Sequence, residues 1–165
     1  MVSMILTGLY ETLLMTAASS FFSYVIGIPL GVILVVSDTN GIKPMPVLNG
    51  VLGSVINLIR SVPFMILLIM VIPLTRLMVG TSIGPVAVIP PLVIAAAPYI
   101  ARMVESSLKE VDAGVIEAAK SMGASNMQII FKVLLPESRP SLLVGAAISV
   151  TTILGYSAMA GFTGG

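Results

Sequence analysis

The sequence predicts an all-α integral membrane protein. Of its 165 residues, 57% are apolar and 9% are charged, with a mean hydropathy of +1.11, whereas a soluble domain has about 25% charged residues. The charges also cluster, and they leave five uncharged runs, at residues 12–37, 44–59, 61–75, 77–101 and 140–165. Because about 20 apolar residues in a helix cross a bilayer core, several of these runs can span a membrane.

The first predicted span covers residues 13–36 and contains Gly27 and Gly31. Small residues of this kind let membrane helices pack closely. A secretory signal begins with basic residues, but the first 37 residues contain no Lys or Arg. We therefore expect a retained span that starts just after Glu11, at the outer interface of the membrane.

A short amphipathic helix and a second span are predicted next. The turn-rich stretch 37–46 forms a loop, and residues 47–60 form the amphipathic helix. One face of this helix would carry Val51, Val55, Leu58 and Ile59. The second span covers residues 61–75, and it reaches a spanning length if Leu58, Ile59 and residues 77–79 extend it.

The third and fourth spans complete a single transmembrane domain over residues 1–165. The third covers residues 85–100 and contains Pro90, Pro91 and Pro98, which predict a kinked or irregular helix. The fourth covers residues 141–160. Between them lies a loop, residues 102–140, that carries most of the charge.

The distribution of Lys and Arg predicts the orientation, because cytoplasmic loops of membrane proteins are enriched in both. If the spans alternate, seven cations lie on one side: Lys43, Arg60, Arg102, Lys109, Lys120, Lys132 and Arg139. Arg76 lies opposite them. The side with seven cations is expected to be the cytoplasm, so the N-terminus should face outward.

The loop 102–140 is predicted to contain two short helices joined by a sharp corner. Asp112 caps the first helix and Gly123 ends it, whereas Ser125 and Gln128 form a capping box for the second helix, which Pro136 closes. Apolar residues at helical spacing follow on one face of each helix: Val115, Ile116, Ala119 and Met122, then Ile129, Ile130, Val133 and Leu134. The pattern fits either a connector on the membrane surface or a docking element for a cytoplasmic partner.

The spacing of this loop distinguishes the two interpretations. It reads Glu117-Ala118-Ala119, Gly123, an aliphatic residue at Val133, and Leu135-Pro136. This arrangement resembles the cytoplasmic loop signature of binding-protein-dependent ABC importer permeases, with Val133 in place of the commoner isoleucine. The resemblance implies that the corner couples to a cytoplasmic ATPase through Glu117, Ala118, Ala119, Gly123, Ala124, Ser125, Leu135 and Pro136.

Other segments are similar to the methionine-uptake branch of that family. They are YETLLMT, IGIPLGV, INLIRSVPF, IPLTRLMVGTSIG, APYIARMVE and GYSAMAG. The resemblance implies a homodimer in the bacterial inner membrane, in contact with lipid, a cytoplasmic ABC ATPase dimer and an extracytoplasmic methionine-binding protein. It also implies a fifth span, so this chain is expected to carry about four of five and to be truncated.

The residue inventory argues against an enzyme. The chain has no His and no Cys, and Asp occurs only at positions 38 and 112, outside the predicted spans. No phosphate-binding G-x-x-x-x-G-K-[ST] motif is present. We therefore expect no catalytic residue, no metal site and no cofactor on this chain, with ATP and Mg²⁺ held by the partner ATPase. The net charge of +1 gives no indication of nucleic-acid binding.

Candidate pathway residues lie near the outer end of the fourth span. They are Tyr156, Ser157 and Met159. Their side chains would line or gate the translocation pathway, or they would only pack against other helices. Arg60, at the entrance to the second span, is interpreted as an interfacial anchor or as a contact with the ATPase. Glu117 is expected to dock the ATPase and to brace the corner.

The function predicted from these observations is that of the permease subunit of an ATP-driven methionine importer. One alternative is a permease for another amino acid. A second is a truncated, non-transporting fragment that still binds the ATPase, and a membrane enzyme is a remote third.

Overall fold

A computed structural model describes residues 2–161, and it confirms the all-α prediction within that range. The helices are α1 (Val2–Ser37), α2 (Pro46–Ser61), α3 (Phe64–Val79), α4 (Pro85–Lys109), α5 (Ala113–Ser121), α6 (Asn126–Ile129), α7 (Leu135–Glu137) and α8 (Arg139–Ala160), with a π-helical turn at Ile130–Leu134. Three of them, α1, α4 and α8, are long and apolar enough to span a membrane. The α2–α3 pair can supply a fourth span.

Helix α1 packs along α4 through glycines. A Cβ atom built on Gly27 would lie 2.6 Å from Ile100 Cγ2, and one built on Gly31 would lie 2.7 Å from the Ala101 carbonyl oxygen. The two backbones therefore approach each other more closely than a side chain allows. The helix is also longer than the predicted span, because it begins at Val2 instead of near Leu13.

Helix α4 is the centre of the bundle, and it runs without a break from Pro85 to Lys109. The predicted span, residues 85–100, is the first part of this longer helix. Its three inner prolines, Pro90, Pro91 and Pro98, are all buried within the continuous helix. In its last part the charges pair along the helix, Arg102 with Glu105 at 2.6 Å and Lys109 with Glu105 at 2.9 Å. Residues 102–109 of the predicted loop are thus helical.

The predicted second span is a broken one. Helices α2 and α3 meet at an angle of 108° across Val62 and Pro63. Helix α2 buries Gly53 and Ile56, whereas Val51 and Leu58 of the predicted apolar face are 60% and 68% exposed. In lipid an apolar face need not contact protein, so the apolar face of α2 and its buried face differ.

The segment after α4 forms the predicted pair of helices and corner. Two details differ from the prediction. Met122 is 82% exposed, so it does not share the buried face of Ala119. Pro136 does not close the second helix, because the chain stays helical to Glu137. The π-helical turn makes this possible: the Leu135 N–H donates to the Ile130 carbonyl five residues back, which relaxes the turn where a proline would disrupt an α-helix.

Candidate functional site: the coupling corner and a groove beside α4

The corner between α5 and α6 is built from local hydrogen bonds. The Asp112 carboxylate accepts from the Gly114 N–H at 2.6 Å and caps the start of α5. At the other end, the Gly123 N–H donates to Lys120 at 2.9 Å and the Ala124 N–H donates to Ala119 at 3.1 Å, which is the Schellman arrangement. Gly123 has a φ of +79°, in the region that favours glycine.

A capping box then starts α6, as predicted. The Ser125 N–H donates to Gln128 Oε1 at 2.8 Å, and the Gln128 N–H donates to Ser125 Oγ at 3.3 Å. Together these two bonds satisfy the backbone N–H groups of both residues. The direction of the chain at the corner is therefore fixed from both sides of Gly123.

The predicted coupling residues divide between the surface and the core. Glu117, Ala118, Gly123 and Ser125 are exposed, Ala119 is buried, and Ala124, Leu135 and Pro136 are half-buried. Glu117 makes no side-chain hydrogen bond or ion pair with any residue in the described range 2–161. Its carboxylate is thus free to meet a partner, whereas a bracing role within the corner is not observed.

Three large apolar side chains are exposed at the corner. The sequence placed one of them, Met122, on the apolar face of Ala119, and it did not identify Met127 and Phe131. Met122, Met127 and Phe131 are 82%, 61% and 59% exposed. They surround the predicted coupling residues in sequence, and we call them the corner apolar set. The signal that could have identified them is their position opposite the buried stripe of Ile129, Ile130 and Leu134. Exposed apolar side chains in one place indicate an interaction surface.

The inner side of the corner is part of the main hydrophobic core. Ala119, Ile129 and Leu134 pack in one cluster with Val104 and Leu108 of α4. Because packed interiors are dense and only slightly compressible, a displacement of the corner is transmitted to the end of α4.

A charge network ties the same end of α4 to α1 and α2. Lys109 Nζ contacts Asp38 Oδ2 at 2.8 Å in the loop after α1, and Arg102 Nη2 donates to the Gly53 carbonyl at 3.0 Å. The hydrogen bond from Lys109 holds the pKa of Asp38 below its ordinary value of 3.8. A lowered carboxyl pKa stabilises the fold above the ordinary value and loses that contribution as pH falls through the lowered one, so this link is intact at neutral pH.

A groove runs between α4 and α8 and reaches the break between α2 and α3. Its wider part, about 360 Å³, is lined by residues that include Arg102, Ser106, Glu110 and Ser141. A smaller part, about 140 Å³, is lined by Ile59, Arg60, Val62, Phe64, Ala95, Tyr99 and Tyr156. Arg60 and Tyr99 line both parts and so join them.

Of the three candidate pathway residues, one lines this groove. The Tyr156 ring stacks on Phe64 with centroids 4.7 Å apart. Ser157 is buried and donates to the Leu154 carbonyl at 2.8 Å, whereas Met159 is 44% exposed and does not belong to the lining of either part. The structure therefore does not bring the three side chains together in one place.

Arg60 is exposed at the end of α2. It lies beside Tyr99 in both parts of the groove and beside Arg102 in the wider part. Helix α2 brings it there, because α2 packs along α4 with Ile56 against Ala101. Its role as an interfacial anchor or as a contact with the ATPase stays a prediction. No cluster of three potential metal ligands of the His, Cys, Asp or Glu type occurs among residues 2–161.

We expect replacement of Gly123 with alanine to destabilise the corner by about 1–2 kcal/mol, the cost of a left-handed backbone for an L-residue. The strain is purely conformational, because no atom lies within 4 Å of the site of a new Cβ. The midpoint of thermal unfolding in detergent measures the effect. Gly155→Ala is the matched control, since Gly155 is helical and equally open. Equal midpoints for the two variants would contradict the expectation.

Comparison with known proteins gives a family and several relatives. Residues 27–165 match the family described as binding-protein-dependent transport system inner membrane component. The chain is 52% identical over 154 residues to the D-methionine transport system permease protein MetI of Yersinia pestis, covering 93% of this chain and 71% of that protein. It is 50% identical over 161 residues to MetI of Escherichia coli K12, covering 98% and 74%.

Solved structures agree with the fold. A chain of the MetNI methionine ABC transporter in an inward-facing conformation superposes with a TM-score of 0.95 at 50% identity, over 97% of this chain and 74% of that one. A chain of an amino acid ABC transporter with histidines gives a TM-score of 0.67 at 24% identity, a likeness of fold alone.

Proposed function

Because the chain belongs to the family of binding-protein-dependent transport system inner membrane components, we propose that it is the permease subunit of an ATP-driven methionine importer. The observation that carries the proposal is the coupling corner, with its fixed backbone, its free Glu117 and its exposed corner apolar set. The cargo, methionine, is proposed from the names of relatives whose sequences are 52% and 50% identical to this chain and which are called D-methionine transport system permeases.

The first partner we propose is a cytoplasmic ABC ATPase, which holds ATP and Mg²⁺ and hydrolyses the nucleotide. The matching structure is described as a methionine ABC transporter. The corner apolar set offers the partner an apolar contact surface, and Glu117 offers it a charge. When the ATPase dimer closes, the corner moves, and the core of Ala119, Ile129 and Leu134 passes the motion to α4.

The second and third partners are another copy of this chain and an extracytoplasmic methionine-binding protein. Several residues that line the groove beside α4, among them Arg60, Val144 and Ile148, are exposed, so a single copy does not enclose a route for a polar amino acid across lipid. A second copy would close it. In this arrangement Tyr156 faces the route, and Ser157 and Met159 act near its outer end.

The protein is a multi-pass protein of the bacterial inner membrane, and we propose that its N-terminus lies outside. Five of the eight Lys and Arg residues lie at the end of the bundle that carries the corner: Lys43, Lys109, Lys120, Lys132 and Arg139. At the opposite end is Arg76, which donates to Ser82. This asymmetry supports a cytoplasmic location for the corner. Helix α1 would then begin outside the membrane and end on the cytoplasmic side, near the corner.

The test is uptake of radiolabelled methionine into proteoliposomes that contain the permease, its ATPase and its binding protein. We expect ATP-dependent accumulation of methionine. Accumulation of a different amino acid would favour the other-cargo alternative. Binding of the ATPase without any uptake would favour the non-transporting alternative.

We also expect that aspartate at a position of the corner apolar set weakens ATPase binding at least about tenfold, since a central apolar contact at an interface contributes about 2 kcal/mol or more. Phe131→Asp and Met122→Asp are the test variants, and binding is measured by titrating the purified ATPase. Val47→Asp is the matched control, because Val47 is 79% exposed in the first turn of α2. If the control and test variants bind equally, the corner is not the docking site.

A further inference from the structure

Arg60 occupies an unusual position for a charged residue in this chain. It lies in the last turn of α2, just before the break, and it lines the groove together with Ala95 and Tyr99 from the middle of α4. On α8 the residues that line the same groove run from Ser141, in the first turn, to Tyr156. The Arg60 side chain is exposed, and it lines both the part of the groove that contains Arg102 and the part that contains Tyr156.

The guanidinium of Arg60 has no counter-ion within the described residues. Arg102 pairs with Glu105 at 2.6 Å, and Arg76 donates to Ser82 at 3.3 Å. Arg60, by contrast, makes no ion pair or side-chain hydrogen bond with any residue of the range 2–161. Charged residues inside membrane bundles are expensive, and those that face a cavity mark the pathways of ions and substrates.

The groove around Arg60 changes character along its length. Towards the corner it is lined by small polar groups, including Ser106, Ser107 and Ser141. At its other end Phe64 and Tyr156 form a stacked pair beside Tyr99. Of the other charged groups that line it, Arg102 is paired with Glu105. Glu110 accepts a hydrogen bond from Ser141 and makes no ion pair with any residue of the range 2–161. Arg60 is thus the cation available to an anionic ligand in this groove.

We propose that Arg60 binds the α-carboxylate of the amino acid as it passes through the groove, while Tyr99, Tyr156 and Phe64 contact its side chain. The inference rests on the proposed function and adds the residue that recognises the cargo. A guanidinium matches the two oxygens of a carboxylate with two parallel N–H donors. Thioether sulfur makes favourable contacts with aromatic rings, which fits methionine at the aromatic end.

The experiment measures methionine uptake by the intact importer with Arg60→Gln and Arg60→Lys. Loss of a charge-assisted pair corresponds to about ten- to hundredfold, so we expect Arg60→Gln to lower uptake by at least about tenfold. Arg60→Lys keeps the charge without the two-pronged geometry, and it should retain an intermediate rate. The control is Arg76→Gln, which removes the same charge at the outer end of the bundle and should leave uptake unchanged.

A second readout separates recognition from a structural role. Methionine and methioninamide, which lacks the carboxylate, are compared for binding to the assembled permease–ATPase complex without the binding protein. The wild type should prefer methionine, and Arg60→Gln should lose that preference. If Arg60→Gln does not assemble, the comparison is made on Arg60→Lys, for which we expect a reduced preference.

The results distinguish this inference from the proposed function. Wild-type proteoliposomes that fail to take up methionine would refute the proposed function. Wild-type uptake that is matched by both Arg60 variants, with the preference for methionine over its amide unchanged, would refute the role of Arg60 alone.

Discussion

Replacing Gly31 with alanine is expected to destabilise the bundle by about 1–3 kcal/mol, the usual cost of adding volume to a tightly packed site. The new methyl group would lie 2.6 Å from Val104 Cβ and 2.7 Å from the Ala101 carbonyl oxygen. A backbone oxygen cannot rotate away, so α1 and α4 must separate. Since α4 also holds the corner and lines the groove, we expect methionine uptake to fall along with stability.

The measurement is the midpoint of thermal unfolding of the purified protein in detergent, together with the fraction that remains monodisperse. Gly8→Ala is the matched control: it lies in the same helix, and no atom is within 4 Å of its Cβ position. That variant should be neutral or slightly more stable, because alanine favours a helix over glycine. A Gly31→Ala protein as stable as Gly8→Ala would show that the two helices are not in the contact described.

Replacing Glu105 with alanine should have the second large effect. Its side chain is 11% exposed, and its two oxygens meet Arg102 at 2.6 Å and Lys109 at 2.9 Å. Removal of one partner from a buried ion pair costs about 3–5 kcal/mol. We expect roughly 2–3 kcal/mol here, below that range, because Lys109 is 46% exposed and keeps its contact with Asp38.

The free energy of unfolding is compared with that of Glu110→Gln as the control. Glu110 is exposed and has one side-chain contact, to Ser141 at 3.1 Å, so its replacement should cost little. Glu105→Gln is a further variant that keeps an acceptor and removes the charge, and it should fall between the two. If Glu105→Ala is no less stable than Glu110→Gln, the network does not hold α4 to the rest of the bundle.

The two sites that carry the proposed function share α4. Its cytoplasmic end packs against the corner through Val104 and Leu108, and its middle presents Tyr99 to the groove. A displacement at the corner therefore acts on the same rigid helix that borders Arg60. In the proposed function, this continuity is the path by which a nucleotide-driven motion of the partner ATPase would alter the groove.

The sequence by itself determined the membrane class, the spans and the local structure of the corner. The caps at Asp112 and Ser125 and the turn at Gly123 are formed by hydrogen bonds between residues two to five positions apart, so the residue types at those spacings are sufficient to predict them. Composition alone likewise excludes a water-facing surface for most of the chain.

Only the tertiary structure decided where the charged and apolar groups of the membrane helices lie. The order of the chain gives no spatial neighbours for Arg60, whereas the structure places it in a groove beside Tyr99 of α4 and Tyr156 of α8. The buried face of α2 is likewise not given by its apolar spacing. The physical reason is that lipid is as apolar as a protein core, so hydropathy locates a span, whereas the side chains that meet across helices are fixed by packing between distant segments.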